Sequence, residues 1–429
     1  MTSQSTAPGD DGASGLVRLV LRVFLPFAGG YYLSYLYRSV NAVIAPRLVR
    51  DIGLDAADLG LLTSVYFLSF AAFQIPLGIL LDRFGPRRVQ AALLCVAALG
   101  AAVFALGGTR EWLMAGRALI GLGVAGGLMA SFKAITQWFP RDRWPLVNGC
   151  FLAMGGLGAM SATAPVEALL GYTDWRGLFA GLALATVAAA GIILAVVPEP
   201  ASGTPSRHVA GALDGLKRVY RDRLFWRIAP VAVAGMAAGM SIQGLWAGPW
   251  LRDVAGLDPQ QVASYLFVLA LALTVGFVAG GMVADLLGRV GIGLMPVMGG
   301  GLLLFGLTQV VIVFQLHPTG VWPWVLIGLL SNTTALAYPE LSRHFPPDLT
   351  GRANTALNVL VFLGTFATQY AMGAIIDLWP QQGDGGYAPA AYRSAFGVFL
   401  ALQAVGFLWF LVASRKETEP PEVQLDNKY

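Results

Sequence analysis

Charge is what this 429-residue chain has least of. Asp, Glu, Lys and Arg make up 12% of it, against roughly 25% in an average soluble domain. So few charges cannot clothe a water-facing surface. Cysteine is almost missing too: Cys95 and Cys150 each sit in an apolar run, where a small buried hydrophobe is expected. Neither a disulfide nor a metal site is read from them. The three histidines, His208, His317 and His344, fall in loops or at the ends of apolar runs. There is no His-Glu-x-x-His, no Gly-x-Ser-x-Gly and no phosphate loop ending in Gly-Lys. An enzyme working inside a membrane would need nucleophile, base or metal ligands converging at depth, so no catalytic residue and no cofactor is expected.

What the chain does have is apolar length. Hydrophobic residues are 56% of it, gathered in runs of about 20, each long enough to cross a hydrocarbon core. In lipid every backbone polar group must be satisfied internally, so only helices or closed barrels span. These runs do not alternate and are too long for barrel strands. Their 53 glycines suit helices packed through small residues. The expected fold is all-α with twelve transmembrane helices. They fall at 22–46, 58–81, 88–107, 112–138, 145–167 and 175–197, then 226–250, 260–284, 291–315, 321–342, 352–376 and 391–413.

The longest polar interruption divides these spans six and six. Pro198 to Phe225 carries Pro, Ser and Gly followed by Lys217, Arg218, Arg221 and Arg223. The domain reading is therefore a tail at 1–21, a six-helix bundle at 22–197, a linker at 198–225, a second bundle at 226–413 and a tail at 414–429. With both termini in the cytosol, Arg47, Arg50, Arg110, Arg176, Arg252 and Arg393 are the cations left on the outer side, and Arg38, Arg117 and Lys133 those within spans. The positive-inside rule favours that orientation. The net charge of +4 then reflects topology and does not point to nucleic acid. The partners expected are the lipid bilayer and a small-molecule substrate, with the chain a monomer.

The two groups of spans resemble each other. Gly78-Ile-Leu-Leu-Asp82-Arg83-Phe-Gly85 ends the second span, and Gly281-Met-Val-Ala-Asp285-Leu-Leu-Gly288 ends the eighth. Leu119-Ile-Gly-Leu and Phe139-Pro140 recur as Leu326-Ile-Gly-Leu and Phe345-Pro346. Internal repeats of this kind build carriers whose site lies between them.

Gly78-x-x-x-Asp82-Arg83-x-Gly85-x-Arg87-Arg88 resembles the signature loop of the major facilitator superfamily, between helices 2 and 3. Arg117-x-x-x-Gly121-x-Gly123 is similar to a second motif of that family, and Asp174-Trp175-Arg176-x-x-Phe179 to its usual start of helix 6. The resemblance implies two pseudo-symmetric six-helix halves, with helices 1, 4, 7 and 10 around a cavity. It further implies a gating role for Gly78, Asp82, Arg83, Gly85, Arg87, Arg88, Arg117 and Asp285. Asp82 would face a helix amino terminus in the other half, and Arg87 and Arg88 would pair with carboxylates such as Asp142. Arg117 in this family organises neighbouring helices or assists proton movement. The second copy carries Leu286 in place of Arg83, and helix 5 reads Gly155-Gly156-Leu157-Gly158 without the Gly-Pro of drug antiporters. Both departures weaken an efflux reading.

Substrate contacts are sought among polar residues within spans, because a charge at mid-bilayer costs about 2.5 to 3.5 kcal/mol on the insertion scale. Tyr31, Ser34, Tyr35, Arg38 and Asn41 recur at helical spacing and form one stripe expected to face a cavity. The segment from Tyr35 to Pro46 is similar to helix 1 of the organic-anion and sugar-phosphate branches, where the arginine binds the anion. The second arginine of the phosphate carriers is replaced in helix 7 by Gln243, Trp246 and Trp250, and helices 2 and 8 lack the arginines of nitrate carriers. A small organic monoanion is the expected substrate. Lys133, with Gln137 one turn on, either meets a carboxylate or snorkels to the headgroups. Gln243, Trp246, Asn332, Tyr338, Asn354 and Asn358 serve either as substrate contacts or as glue between helices. Glu167 and Glu340 are peripheral, and Glu340 has Arg343 three residues on as an intrahelical partner. The expected function is secondary active transport by rocker-switch alternating access across a bacterial inner membrane, the alternatives being an exporter of drugs or metabolites and a transporter-like sensor.

Overall fold

The computed structural model describes residues 16–199, 212–383 and 385–418. The expected tails therefore lie largely outside it, as does much of the linker. Among the described residues twelve helical spans succeed one another, and ten of them are individually long and apolar enough to cross a membrane. Span 1 runs over residues 16–52, six residues earlier than the periodicity predicts, and closes at Gly53 in the left-handed region. Spans 2 and 3 are the two parts of Ala56–Leu106, divided at Gly85, whose φ of 77° an L side chain adopts at a cost. Span 4 is Arg110–Trp138. Span 5 joins Trp144–Ser161 to Ala164–Leu169, and span 6 is Trp175–Val196. A short linker helix, Ala212–Arg221, precedes span 7 at Arg223–Asp253. Span 8 is Pro259–Arg289 and span 9 is Leu294–Val313. Span 10 joins Trp322–Leu330 to Ala337–His344, span 11 is Pro347–Ile376 and span 12 is Pro389–Thr418.

Aspartates start the spans where the chain turns back into the bundle. Asp55, Asp174 and Asp222 accept from the backbone N–H groups of Asp58, Gly177 and Phe225 at 2.6, 2.7 and 2.9 Å. Asp258 and Gln261 cap span 8 reciprocally, with Pro259 at its first position. Inside the bundle, the spans meet through close backbone approach and stacked rings, since lipid leaves little hydrophobic drive between helices. Phe104 of span 3 stacks on Phe179 of span 6 with centroids 4.1 Å apart, worth about 0.5 to 1.5 kcal/mol beyond area.

Cys95 and Cys150 are both free and exposed, which corrects the expectation of buried hydrophobes. A thiol is apolar enough to sit against lipid, so an apolar run does not say which way it points.

Two ends of the bundle can be told apart. At one end, spans 1 to 6 touch spans 7 to 12 closely. A Cβ on Gly60 of span 2 would stand 2.9 Å from the Gln369 carbonyl of span 11, and one on Gly373 would run into the Ala56 carbonyl. Phe70 and Phe362 pack at 4.2 Å just below. The Ala56 N–H donates to the Tyr387 hydroxyl at 3.1 Å, and that hydroxyl donates to Asp377 at 2.8 Å. Burial is the main cause that pushes the Tyr387 phenol above its ordinary 10.0. This is the sealed end. The opposite end carries residues 81–88 and 139–147 and is rich in arginine; it is called the basic end below.

Candidate functional site

Regular helix fails midway along several spans. Span 1 turns at Val40, span 4 at 125–126 and span 5 at 162–163. Span 7 widens to a π-helical turn over Ile242–Trp246, and span 10 breaks at 331–336. Broken backbone at membrane depth is tolerated only where protein surrounds it or a cavity is lined. Polar side chains gather at these breaks. Ser39, Asn41, Ser241, Gln243, Asn332 and Thr334 each carry a buried polar atom with no protein partner among the described residues.

Arg38 stands two residues before its break, 7% exposed. Its guanidinium carbon lies 4.5 Å from the Tyr35 ring centroid, 5.8 Å from that of Phe70 and 5.7 Å from that of Phe362. The titratable groups acting on it most strongly are the phenols of Tyr66, Tyr35 and Tyr31. Its Nε has no protein partner among the described residues. The charge is therefore held in a frame of aromatic faces, which attract it through their quadrupoles. Phe362 belongs to span 11, so residues from both groups of spans meet here.

The remaining expected contacts divide by exposure. Tyr35, Gln243, Asn332, Tyr338, Asn354 and Asn358 are half-buried. Tyr338 donates to Asn358 at 3.0 Å, and Asn354 donates to the Ser342 hydroxyl at 3.1 Å. Tyr31, Asn41 and Trp246 are buried instead. Tyr31 packs on Phe151 of span 5 at 4.7 Å, Asn41 donates to Thr63 of span 2 at 2.9 Å, and Trp246 donates to the Gln369 carbonyl at 3.2 Å. The stripe on span 1 is thus shared between neighbours, with Tyr31 against span 5 and Asn41 against span 2.

Lys133 and Gln137 lie apart from this group. Lys133 donates to Asp82 at 2.5 Å and to the Leu81 carbonyl at 2.9 Å, and Gln137 is exposed. Asp82, its side chain 58% exposed, is thereby held within its own group of spans, a correction to the expectation that it faces a helix terminus across the bundle. The reason is conformational: residues 82–84 and 281–283, where the two repeats reach the basic end, are exposed. Arg87 and Arg88 reach Glu199 at 3.4 and 2.7 Å; the side chain of Asp142, the partner expected for them, lies outside the described residues. Arg83 packs over Phe84, Gly78 is exposed, and Asp285 pairs with Arg289 one turn on at 2.9 Å. Arg117 is wholly buried, donating to the Tyr37 carbonyl at 2.9 Å beneath the Tyr66 ring.

Sequence reasoning passed over Tyr66, Phe70, Phe362 and Gln369. The three aromatics carry no signal inside apolar runs. Gln369 does, being an amide in an apolar span, and it is fully buried with neither amide atom partnered among the described residues.

A model of the Major Facilitator Superfamily matches residues 27–296, more than half of the chain. A protein of Cupriavidus necator named as a probable sulfoacetate transporter is 24% identical over 269 residues, which are 59% of this chain and 62% of that one. The hexuronate transporter of Escherichia coli K12 is 24% identical over 277 residues, 61% of this chain and 64% of its own. The matches thus span somewhat under two thirds of these relatives. In fold, the chain is similar to a bacterial homolog of the human lysosomal transporter Spinster, at TM-score 0.76 and 18% identity over 93% of this chain and 98% of that one. It is similar also to the nucleoside transporter NupG, at TM-score 0.74 and 13% identity over 91% and 99%. The chain is a multi-pass membrane protein and belongs to the Major Facilitator Superfamily.

Proposed function

We propose that this chain is a secondary active transporter carrying a small organic monoanion across a bacterial inner membrane by alternating access, with both termini in the cytosol. The observation that carries the reading is Arg38, a guanidinium 7% exposed, framed by the rings of Tyr35, Phe70 and Phe362. An arginine at that depth keeps its charge. An anion would supply the paired oxygens that its planar fork prefers, and the rings would hold a flat body beside it. In this reading the half-buried donors Gln243, Asn332 and Tyr338 contact the rest of the solute. Two relatives are named for organic acids, sulfoacetate and hexuronate, which agrees with an anionic substrate class. Movement would come from the two six-span groups pivoting about the breaks, opening one end as the other seals.

The test is a thermal-shift screen of small carboxylates and sulfonates on purified protein, followed by uptake of each hit into proteoliposomes. A saturable shift and uptake are expected, both abolished in Arg38→Ala. Normal transport by Arg38→Ala, or a cationic substrate, would remove the reading. Binding without flux would indicate a sensor, and flux only outward an exporter.

A further inference from the structure

The linker helix that precedes span 7 is amphipathic. Gly215 and Val219, one turn apart, are buried, and a Cβ on Gly215 would run into the Arg352 guanidinium of span 11. Tyr220 packs edge-on against Phe225 at 5.5 Å, and the Asp222 carboxylate meets His344 of span 10 at 3.0 Å. The helix is thus docked on the second group of spans, with Arg218 and Arg221 on its outward face. Arg223, the first residue of span 7, is exposed as well. None of these three arginines has an ion pair among the described residues. Asp222, between the last two, is already engaged, accepting from the Phe225 N–H at 2.9 Å and meeting His344. Two tryptophans lie just inside this cluster. Trp226, three residues and so about 4.5 Å further along span 7 than Arg223, is 43% exposed, and Trp409 of span 12 is 53% exposed. Their indole N–H groups donate inward, to the Tyr220 carbonyl at 2.7 Å and the Trp226 carbonyl at 3.0 Å, which leaves ring surface on the flank of the bundle. Tryptophan so placed marks the boundary between hydrocarbon and headgroups.

We propose that this flank of the basic end binds an anionic phospholipid, with its phosphate on Arg221 and Arg223 and its glycerol region against Trp226 and Trp409. Arg223 stands about one turn outward of the tryptophans that set the headgroup level, which is where a lipid phosphate lies. The planar fork of an arginine matches paired phosphate oxygens. The uncompensated positive charge selects the lipid class, because a zwitterionic headgroup brings an ammonium to the same place and an anionic one does not. A soluble phosphate would meet the arginines but gain nothing from the rings. Every residue of the site belongs to the second group of spans or to the helix docked on it, so the lipid fastens that group to one leaflet. None of this depends on Arg38 or on what is carried.

The experiment uses the full chain in phosphatidylcholine nanodiscs carrying a rising fraction of phosphatidylglycerol, at constant ionic strength. The melting temperature should climb with that fraction and saturate. Arg223→Gln and Arg221→Gln should each weaken the response about fivefold, every variant being read against its own melting temperature in pure phosphatidylcholine. Arg289→Gln, exposed at the same end but on span 8 and paired with Asp285, should respond like the parent. Inorganic phosphate added to pure phosphatidylcholine discs should not reproduce the rise. The proposal is overturned by a melting temperature indifferent to phosphatidylglycerol, or by Arg223→Gln and Arg221→Gln variants that respond like the parent. It is overturned equally by the same loss in Arg289→Gln, which would mean diffuse attraction by the whole basic end, or by an equal rise with inorganic phosphate.

Discussion

A guanidinium and an ammonium reach inside the spans of this chain and meet different fates. Arg38 is surrounded by rings and phenols, whereas Lys133 reaches a carboxylate and a carbonyl at the basic end. The difference arises from their stems. A lysine near a helix end has a flexible stem that lets its point charge find polar ground, while a planar fork can lie against aromatic faces. Arg38→Lys should therefore keep the protein folded yet weaken anion affinity about tenfold, since a point charge cannot reproduce two parallel hydrogen bonds. Isothermal titration with a hit from the screen would measure it, and unchanged affinity would count against the fork. A second residue-scale case concerns Tyr37 and Thr186, whose buried hydroxyls lie 2.9 Å apart. Thr186 already donates to the Leu182 carbonyl at 2.7 Å, so Tyr37 must be the donor between them. Tyr37→Phe should cost about 1 kcal/mol, seen as a lower melting temperature with transport retained. Both cations were legible as sequence, because charge within an apolar run stands out. The Arg38 frame was not, since Phe70 and Phe362 look the same in sequence whether they meet lipid, another helix or a cation.

Among the elements, the spans were legible by length and the interruptions by their glycines and prolines. The breaks within spans were harder. The turn at Val40 carries no helix-breaking residue that periodicity would flag, whereas the break at 125–126 falls at Gly126 beside Gly127, in a span already rich in glycine. The seal at spans 2 and 11 depends on two glycines whose missing side chains allow contact. Gly373→Ala would drive a Cβ into the Ala56 carbonyl, and the backbone cannot yield without opening the seam. Its expected effect is a shift toward the form open at that end, read as faster modification of a cysteine placed at residue 57, by about tenfold for each 1.4 kcal/mol of shift. Tyr387→Phe should act the same way, removing a phenol that joins Asp377 to the start of span 2, at a cost of about 1 to 3 kcal/mol. The pH dependence has a definite sign. Because burial raises the Tyr387 pKa above 10.0, its contribution is fully present below pH 10.0 and is lost as pH climbs toward the raised value. Modification at residue 57 should thus accelerate above pH 10.0 in the parent and much less so in Tyr387→Phe.

At the scale of the molecule, the proposed alternating access requires a single sequence to encode two arrangements, and a reading of the chain alone has no means of saying which contacts belong to which. Asp82 shows the consequence. Its motif implies a partner across the bundle, yet in this conformation it is 58% exposed and bound to Lys133 of its own group of spans. Both partnerships fit one cycle if Asp82 exchanges Lys133 for the other group when the basic end closes. The bond to Lys133 is exposed, so it is worth only about 0 to 1 kcal/mol and can be given up at little cost. Under the proposed cycle the carboxylate matters in the closed form, where its partner would belong to the other group of spans. Asp82→Asn should therefore leave this conformation and its anion affinity nearly unchanged while destabilising the form closed at the basic end. Transport should fall, with binding to the purified protein within about threefold of the parent. Lys133→Ala offers the opposite case, since it frees Asp82 without removing it and should bias the chain toward closure at the basic end. Spin labels on residues 80 and 283 would report the distance across that end in each variant. Equal distance distributions in the parent, Asp82→Asn and Lys133→Ala would show that Asp82 does not change partners, and the gate would have to be sought elsewhere along the seam.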